Sequence, residues 1–281
     1  MDGSKKTQDL VRLAQTKSPA PEINIAGLPL FEAGHVWLAG VGPGDVGLLT
    51  LHAVNALQQA DMIVYDALVS EDILALAKKG AQLFYAGKRG GKPSRNQADI
   101  TEQLIALAQA GHRVLRLKGG DPFLFGRGGE EAQALREAEI TFRIIPGISA
   151  GIGGLAYAGI PVTHRDINHA VTFVTGHLAG DNRPELMDWT AIAQGSPVIV
   201  IYMALHRLAV IAALLLKAGR DKEEPLAVVT HATTPAQKVV FSTLGEAAGE
   251  AASLVATHKL EPPAIIVVGK VVDMGRLINW V

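Results

Sequence analysis

The residues from Arg116 to Glu131 constrain the fold of this chain more than any other stretch. They read RLKGGDPFLFGRGGEE, with five glycines. Polar and apolar residues alternate over 113–117, which predicts a strand, and acidic residues in the first turn suit a helix over 130–138. A strand end that feeds a glycine-rich turn is where open α/β sheets bind ligands, because the backbone there can approach a ligand closely. The stretch therefore predicts an α/β fold with a binding loop at a sheet edge.

The rest of the first half alternates strands with helices, as a mostly parallel sheet requires. Strands are predicted at 35–41, 61–66, 81–86 and 142–145, and helices begin near Thr50, Ser70 and Ser94. Thr50 is a suitable helix N-cap, and Ser94 with Gln97 has the spacing of a capping box.

The second half also reads as α/β. Strands are predicted at 170–175, 197–203, 226–230, 238–242 and 264–269, and helices at 207–218 and 244–257. The stretch 226–242 resembles an antiparallel hairpin. Pro146 to Gly159 is rich in small residues and marks the passage between the halves. We therefore expect a flexible extension over 1–34, an N-terminal α/β domain over 35–146 and a C-terminal α/β domain over 147–281.

Composition excludes several classes of protein. The 281 residues carry a net charge of −1, which gives no global attraction to nucleic acid or to a membrane surface. With zero cysteines, disulfides, thiolate catalysis and cysteine-ligated metals are absent, and a reducing compartment such as the cytoplasm fits. Residues 1–10 have no apolar core, so we expect no signal peptide. Residues 144–162 lack charge but contain prolines and glycines, so we expect a buried segment rather than a membrane span.

One motif suggests a different activity. Gly42, Gly44 and Gly47 satisfy the G-x-G-x-x-G pattern of dinucleotide-binding loops, and Asp66 follows the next predicted strand. However, Pro43 removes a backbone N–H that a pyrophosphate would use, and Asp45 would place a carboxylate beside the phosphates. A dinucleotide-dependent oxidoreductase is therefore a disfavoured alternative.

Several motifs occur together from about residue 35 to the C-terminus. They are Val41–Asp45 with Gly47–Thr50, Tyr65-Asp66, Gly87–Arg89, Arg116–Pro122, Phe125–Gly128, Pro146–Ala150 and Gly159–Arg165. In this order they resemble the tetrapyrrole methylases. The resemblance implies two α/β domains with the active site in the cleft between them, and commonly a homodimer. It also implies S-adenosyl-L-methionine as methyl donor, with S-adenosyl-L-homocysteine as product. The implied substrate is uroporphyrinogen III, methylated at two ring carbons to precorrin-2 for sirohaem and cobalamin biosynthesis.

The resemblance also assigns roles to individual residues. It places the donor at Pro43, Gly119, Gly120, Asp121, Leu124, Ser149, Ala150, Met203 and Ala232. It makes Asp66 the proton acceptor and Lys88 the proton donor. Each has an ordinary alternative: Asp66 as a turn or helix-cap residue, Lys88 as a solvated lysine, and Met203 as part of the core.

A substrate with eight carboxylates requires a cationic site. Four basic residues crowd one glycine-bearing loop, namely Lys88, Arg89, Lys92 and Arg95, and Arg127 and Arg165 lie in other motifs. We expect Arg127 to clamp a substrate carboxylate through a fork oriented by Glu130, and Arg89 and Arg165 to bind further carboxylates. His164, His169 and His177 lack a recognisable ligand spacing, so no metal is expected.

Two positions depart from the pattern of many family members, which have glycine there. Ala204 ends the run Tyr202-Met203-Ala204, and Ala232 lies between His231 and Thr233. An additional methyl group is tolerated only where the backbone conformation does not require glycine.

Two further alternatives remain at this stage. One is a related methylase that acts on a later corrin intermediate or on ribosomal RNA. The other is a non-catalytic nucleotide- or RNA-binding module that uses the basic loop 88–95. Few aromatic residues accompany that loop to stack on bases, so we expect no nucleic-acid partner.

Overall fold

The computed structural model describes residues 26–87, 97–176, 187–278 and 280, and the backbone of 11–13. Contacts among the residues divide the chain into two units, Met1–Ser149 (unit 1) and Ala150–Val281 (unit 2). The division falls in the small-residue segment where the sequence predicts the passage between domains. Each described unit has its own β-sheet.

Unit 1 is a mostly parallel sheet with helices between its strands, as the sequence predicts. Its elements are β1 (Val11–Leu13), β2 (Val36–Gly40), a 3₁₀ helix (Val46–Leu48), α1 (Leu51–Gln59), β3 (Met62–Tyr65), α2 (Glu71–Leu74), β4 (Gln82–Tyr85), α3 (Gln97–Gln109), β5 (Val114–Lys118), α4 (Gly128–Glu137) and β6 (Phe142–Ile145). The strand order is β1-β4-β3-β5-β2-β6, and only β1 runs antiparallel to its neighbour. β5, which leads into the glycine-rich stretch, lies inside the sheet between β3 and β2.

Both faces of this sheet are buried. Along β2, Trp37 and Ala39 belong to one apolar cluster, and Val36 and Leu38 belong to another. Because successive side chains of a strand point to opposite faces, this assignment means that helices cover the sheet on both sides.

Described residues before the predicted boundary at residue 34 pack into unit 1. Phe31 is buried and its ring stacks on Trp37 with centroids 4.2 Å apart. The Phe31 backbone N–H donates to Gln59 Oε1 at 2.9 Å. At Phe31 the structure therefore differs from a flexible extension, because one aromatic side chain among prolines and polar residues completes the core. Most of the predicted extension lies outside the described residues.

Unit 2 is a mixed sheet with its own helices. Its elements are α5 (Ala150–Tyr157), β7 (Thr172–Thr175), α6 (Trp189–Gly195), β8 (Ile199–Tyr202), a 3₁₀ helix (Leu205–Arg207), α7 (Leu208–Lys217), β9 (Pro225–Thr230), β10 (Lys238–Thr243), α8 (Leu244–Thr257), β11 (Ala264–Val268) and α9 (Val272–Ile278). The strand order is β10-β9-β11-β8-β7, with β7 and β8 parallel and the other pairs antiparallel. The antiparallel pairing predicted within 226–242 is confirmed as β9 and β10.

Three helices of unit 2 do not follow from the sequence prediction. α5 forms in the segment predicted only to be buried, and α6 and α9 were not predicted. Glycine is a poor helix former, so the three glycines of α5 hide the helix in the sequence. Among the described residues, no helix is long and apolar enough to cross a membrane.

Side-chain caps fix several helix ends. Thr50 accepts a hydrogen bond from the Ala53 backbone N–H at the start of α1, as predicted, and Ser70, where the sequence predicts that the second helix begins, caps α2. α4 begins at Gly128, two residues before the predicted start at Glu130. The predicted capping box of Ser94 lies outside the described residues.

Asp61 joins the starts of three parallel strands in unit 1. Its backbone N–H donates to Arg113 and its carbonyl accepts from Gln82. Its carboxylate pairs with Lys78 and accepts from the Arg113 backbone N–H at 3.0 Å. Burial alone would raise the pKa of this carboxyl, but the hydrogen bonds and positive charges outweigh burial and lower the pKa from its ordinary value.

We therefore predict that Asp61→Asn destabilises the protein in a pH-dependent way. A lowered folded-state pKa adds stability above the unfolded pKa, and this stability is lost as the pH falls through the folded pKa. At neutral pH the substitution should cost about 1–3 kcal/mol, and the difference from wild type should shrink below a pH of about 4. Urea unfolding across this pH range measures it, with the exposed Asp166→Asn as control. A difference that is independent of pH would contradict the assignment.

Candidate functional site

Three backbone segments of unit 1 meet where β2, β5 and β6 end. Gly42 and Gly120 form an antiparallel bridge, in which the Gly42 N–H donates to the Gly120 carbonyl at 3.2 Å and the Gly120 N–H returns a bond at 2.8 Å. The bridge joins the loop after β2 to the loop after β5. Both glycines have positive φ, a conformation that glycine adopts without strain.

The segments are packed too closely for side chains at their contact points. A Cβ on Gly40 would lie 2.5 Å from the Gly120 carbonyl oxygen and 2.7 Å from the Gly147 Cα. A Cβ on Gly147 would lie 2.7 Å from the Gly40 Cα and still closer to the Gly120 oxygen. The sheet edge here is therefore bare backbone, which can approach a ligand closely.

Asp121 fastens two of these segments together. Its Oδ2 accepts a hydrogen bond from the Gly147 backbone N–H at 3.0 Å, and its Oδ1 accepts from the Phe123 N–H at 2.8 Å. The carboxylate is partly buried. It adds a negative charge to the bare backbone edge, which would suit the cationic groups of a methyl donor.

The geometry of the loop after β2 also disfavours the dinucleotide alternative. The Gly42 N–H is bonded to Gly120, and the Gly47 N–H donates to Asp45 Oδ1 at 2.7 Å. A short 3₁₀ helix follows this loop, and α1 does not begin until Leu51. Two N–H groups of this loop are thus engaged within the protein, and no long helix begins beside them.

Arg127 occupies an unusual backbone position. It is the N-cap of α4 with φ 57°, in the left-handed region, and its side chain makes no capping hydrogen bond. Instead Nε lies 3.0 Å from Glu130 Oε1, and Nη2 lies 2.6 Å from Glu130 Oε2. This hydrogen-bonded pair raises the pKa of Arg127 and lowers the pKa of Glu130. The predicted orientation of the Arg127 fork by Glu130 is therefore present in the structure.

This pair contributes little to folding. The two side chains are 56% and 59% exposed, and exposed ion pairs are usually worth about 0.2–1 kcal/mol. A non-glycine residue in the left-handed region typically costs about 1–3 kcal/mol. Fold stability alone thus does not explain an arginine at position 127.

Asp66 lies directly after β3, at the same edge of the sheet. Its Oδ1 accepts from the Leu68 backbone N–H at 3.0 Å, and its Oδ2 lies 4.0 Å from Arg116 Nη2. The turn role that we considered for Asp66 is therefore real, and the side chain still keeps 26% of its surface exposed. Lys88 and Arg89, together with Lys92 and Arg95, lie outside the described residues, so their roles stay predictions.

A buried charged cluster beside Asp66 was missed by the sequence analysis. Glu131, on α4, is fully buried and pairs with two residues of β5. Arg116 Nε lies 3.1 Å from Glu131 Oε1, and Lys118 Nζ lies 3.1 and 3.0 Å from the two carboxylate oxygens. Gln97 Nε2 also donates to Oε1, at 2.7 Å. Residues two apart on a strand share a face, so the spacing of Arg116 and Lys118 could have indicated that both bind one buried carboxylate.

The cluster is tightly packed. Burial, followed by the charge of Arg116, lowers the pKa of Lys118 against the opposing effect of Glu131. Breaking a buried ion pair by removing one partner usually costs about 3–5 kcal/mol, because an uncompensated charge stays behind.

In unit 2, three of the predicted donor residues lie around α5. Ala150 begins this helix, and the next residue, Gly151, donates its N–H to the Tyr202 hydroxyl at 2.8 Å. Met203 follows Tyr202 directly. On the same helix, a Cβ on Gly154 would lie 2.7 Å from the Ala232 Cβ. The glycines of α5 thus allow these loops to pack closely against it.

Met203 is not a core residue. Its side chain is 54% exposed and its φ is 54°. This exposure contradicts the core alternative for Met203. A side chain on a strained backbone at a strand end is more typical of a functional position than of packing.

The two alanines that replace glycine fit without strain. Ala204 has φ −113° and ψ −3°, which any residue adopts. Ala232 does not have a positive φ, although His231 and Thr233 on either side have φ of 47° and 65°. The additional methyl groups therefore require no change of backbone.

The remaining predicted residues are placed as follows. Leu124 is half-buried in the loop before α4, Pro43 is half-buried beside Gly42, and Ser149 is buried two residues after Gly147. Gly119 packs against the Leu68 side chain.

Arg165 is exposed in a turn closed by His164 and Asn168. His164 Nδ1 accepts from the Asp166 N–H, a structural role. Within the described ranges, no group of three His, Asp or Glu residues could hold a metal.

Comparison with known proteins identifies relatives of this arrangement. A family model described as Tetrapyrrole (Corrin/Porphyrin) Methylases matches residues 35–248. The chain is 60% identical over 256 residues to a uroporphyrinogen-III C-methyltransferase of Sinorhizobium sp., covering 91% of this chain and 90% of that protein. It is 45% identical to siroheme synthase 1 of Pectobacterium atrosepticum over 90% of this chain, but spans only 51% of that longer protein.

A solved structure shares the fold. The crystal structure of a uroporphyrin-III C-methyl transferase from Thermus thermophilus, complexed with S-adenyl homocysteine, superposes with a TM-score of 0.73. It is 36% identical in sequence, and the match covers 85% of this chain and 99% of that one.

The close packing of the three segments leads to a prediction about Gly147. Gly147→Ala forces a methyl group against the backbone of Gly40 and Gly120, so the free energy of unfolding should fall by about 1–3 kcal/mol. Gly249→Ala is the matched control, since a Cβ there meets nothing within 4 Å and the helix should gain up to about 1 kcal/mol. Urea unfolding compares the two variants. Equal stability of Gly147→Ala and wild type would show that the packing is looser than described.

Proposed function

The chain belongs to the tetrapyrrole (corrin/porphyrin) methylases, and from that premise we propose that it methylates uroporphyrinogen III at two ring carbons, giving precorrin-2. The methyl donor is S-adenosyl-L-methionine and the second product is S-adenosyl-L-homocysteine. The observation that carries the proposal is the likeness to the Sinorhizobium relative, which extends over nine-tenths of both chains and names the reaction.

The residues of the site fit this donor. S-adenosylmethionine, when bound, supplies a methyl group on a sulfonium, so the protein has to position the donor and the acceptor carbon rather than form a bond itself. The bare backbone at Gly40, Gly120 and Gly147 gives close approach, and Asp121 provides a carboxylate for cationic groups. Exposed Met203 offers an adaptable apolar surface. Pro43, Gly119, Leu124, Ser149, Ala150 and Ala232 complete the proposed donor set.

Proton transfer is assigned to residues at the strand ends of unit 1. Methylation leaves the ring system with one positive charge, and loss of a proton neutralises it. Asp66 keeps part of its carboxylate exposed and accepts this proton. Lys88 is proposed as the proton donor on the basis of the family resemblance.

The substrate carboxylates require arginines that are held in place but accessible. Arg127 is exposed, and Glu130 fixes the plane of its guanidinium. A guanidinium so oriented can bind a carboxylate through two parallel hydrogen bonds. Arg165, which is exposed, and Arg89, which lies outside the described residues, are proposed to bind further carboxylates.

We also propose a homodimer in the cytoplasm, whose product serves sirohaem and also cobalamin biosynthesis. The relative named as a siroheme synthase supports the first destination. Large apolar side chains are exposed near the C-terminus, with Leu277 at 78% and Trp280 at 59%, and such a surface suits a second copy.

The reaction itself is tested by incubating the protein with S-adenosylmethionine and uroporphyrinogen III. Mass spectrometry should show a product with two added methyl groups. In calorimetry, S-adenosylhomocysteine should bind with a dissociation constant in the micromolar range or tighter, roughly −8 kcal/mol, and NAD should not bind. Binding of NAD without binding of S-adenosylhomocysteine would instead favour an oxidoreductase.

Substitution of Arg127 tests the substrate clamp. Arg127→Lys should be almost as damaging as Arg127→Ala, because the two-pronged geometry is lost while the charge is kept. The loss should be about 2–5 kcal/mol in methylation rate and substrate affinity, with unchanged S-adenosylhomocysteine binding. Arg136→Lys, also exposed on α4, is the matched control.

Glu130→Gln separates this role from a purely structural one. If the pair only fastens the loop, Glu130→Gln should reproduce the full defect and lower the melting temperature as much as the Arg127 variants do. A stable and fully active Arg127→Lys protein would contradict the clamp.

A further inference from the structure

Arg116 lies between the buried cluster of α4 and the side chain of Asp66. It is on β5, and its guanidinium is almost completely buried. Nε bonds to Glu131, Nη1 donates to the Leu117 carbonyl at 2.8 Å and to the Val64 carbonyl at 3.4 Å, and Nη2 is 4.0 Å from Asp66 Oδ2. The guanidinium is therefore held by three partners, while the remaining nitrogen faces the carboxylate at the end of β3.

The charges of the cluster do not balance without Asp66. Glu131 is one buried anion, and it already pairs through both oxygens with Lys118. Arg116 adds a second buried cation to the same carboxylate. A buried charge is costly unless it is paired, so a lone Lys118–Glu131 pair would be the cheaper arrangement. Asp66 supplies the second negative charge, which explains an arginine at position 116.

Asp66 in turn is oriented from two directions. Its Oδ1 is held by the Leu68 backbone N–H, and its Oδ2 faces Arg116 Nη2. The Val64 carbonyl, which Arg116 also contacts, belongs to the strand that carries Asp66. A guanidinium that bonds to both β3 and Glu131 fixes the position of the carboxylate relative to α4, whose first turn contains Glu130 and whose N-cap is Arg127.

From these contacts we infer that Arg116 is a positioning residue for Asp66. This inference rests on the proposed function, in which Asp66 accepts the proton that leaves the methylated macrocycle. Arg116 does not touch the substrate. It holds the carboxylate in one orientation, and Glu131 holds Arg116. Lys118 pairs directly with Glu131, and the charge of Asp66 acts on Lys118 only as the last of the causes that shift its pKa.

The test is a double-mutant cycle between Arg116→Gln and Asp66→Asn. Initial methylation rates give kcat and KM for uroporphyrinogen III, calorimetry gives the affinity for S-adenosylhomocysteine, and thermal unfolding reports stability. Arg116→Gln should lower kcat by about tenfold or more with little change in S-adenosylhomocysteine affinity. Because Arg116 acts through Asp66, the double variant should be as slow as Asp66→Asn alone, to within about twofold.

Lys118→Gln is the matched control, since Lys118 is equally buried and bonds to the same glutamate. It should lower the melting temperature as much as Arg116→Gln, but its effect on kcat should multiply with that of Asp66→Asn. If Arg116→Gln does not fold, Arg116→Lys replaces it, because the retained charge still pairs with Glu131 while the fork toward Asp66 is lost.

Two results would overturn the inference. The first is a double variant whose fold reduction in kcat equals the product of the reductions in the Arg116 variant and in Asp66→Asn, as expected for Lys118→Gln. The second is normal turnover in Asp66→Asn, which leaves nothing for Arg116 to position. In both cases the wild-type protein still forms the dimethylated product, so failure of this inference is distinct from failure of the proposed function.

Discussion

The site in unit 1 depends on three backbone segments that approach one another without side chains between them. Gly40, Gly120 and Gly147 come from three strand ends, and a Cβ on Gly40 or Gly147 would overlap neighbouring backbone. Parallel strands all end at the same edge, so the loops that follow β5 and β6 meet the end of β2 there, and glycine at each contact point makes the close approach possible. The bridge between Gly42 and Gly120 and the bond from Gly147 to Asp121 then fix the loops. The close packing of the three segments and the proposed binding of a ligand thus both require backbone without side chains at this edge.

Much of this arrangement could be predicted from the sequence, because it depends on local signals. Residues that are close together in the sequence indicate each of these features, namely the strand ends, the cap at Thr50 and the glycine-rich run. The rejection of the dinucleotide loop also followed from Pro43 and Asp45 alone. The predicted set of donor and substrate residues, in contrast, came from the family resemblance, and composition or spacing could not have assigned it.

The features that sequence reasoning missed are those that depend on tertiary contacts. The alternating pattern of Arg113–Leu117 predicted a strand but not its burial, and β5 is buried along its whole length. Its polar residues are accommodated because Glu131 reaches them from α4. Helix α5 was missed for a related reason, since its glycines weaken the local helix signal but allow Tyr202 and Ala232 to pack against it.

Arg127 and Met203 show how function can be separated from fold in this chain. Arg127 directly precedes α4 and Met203 directly follows β8. Both have φ near 55°, and both side chains are largely exposed. Glycine or asparagine would occupy such positions with less strain. Ala204 and Ala232, in contrast, have ordinary conformations where glycine would only add freedom to the unfolded chain. At positions 127 and 203 the chain therefore has exposed side chains on a strained backbone, where the proposed ligands would contact them, and at positions 204 and 232 it has side chains without strain. This distribution is expected when the binding surface, rather than the stability of each loop, determines the residue.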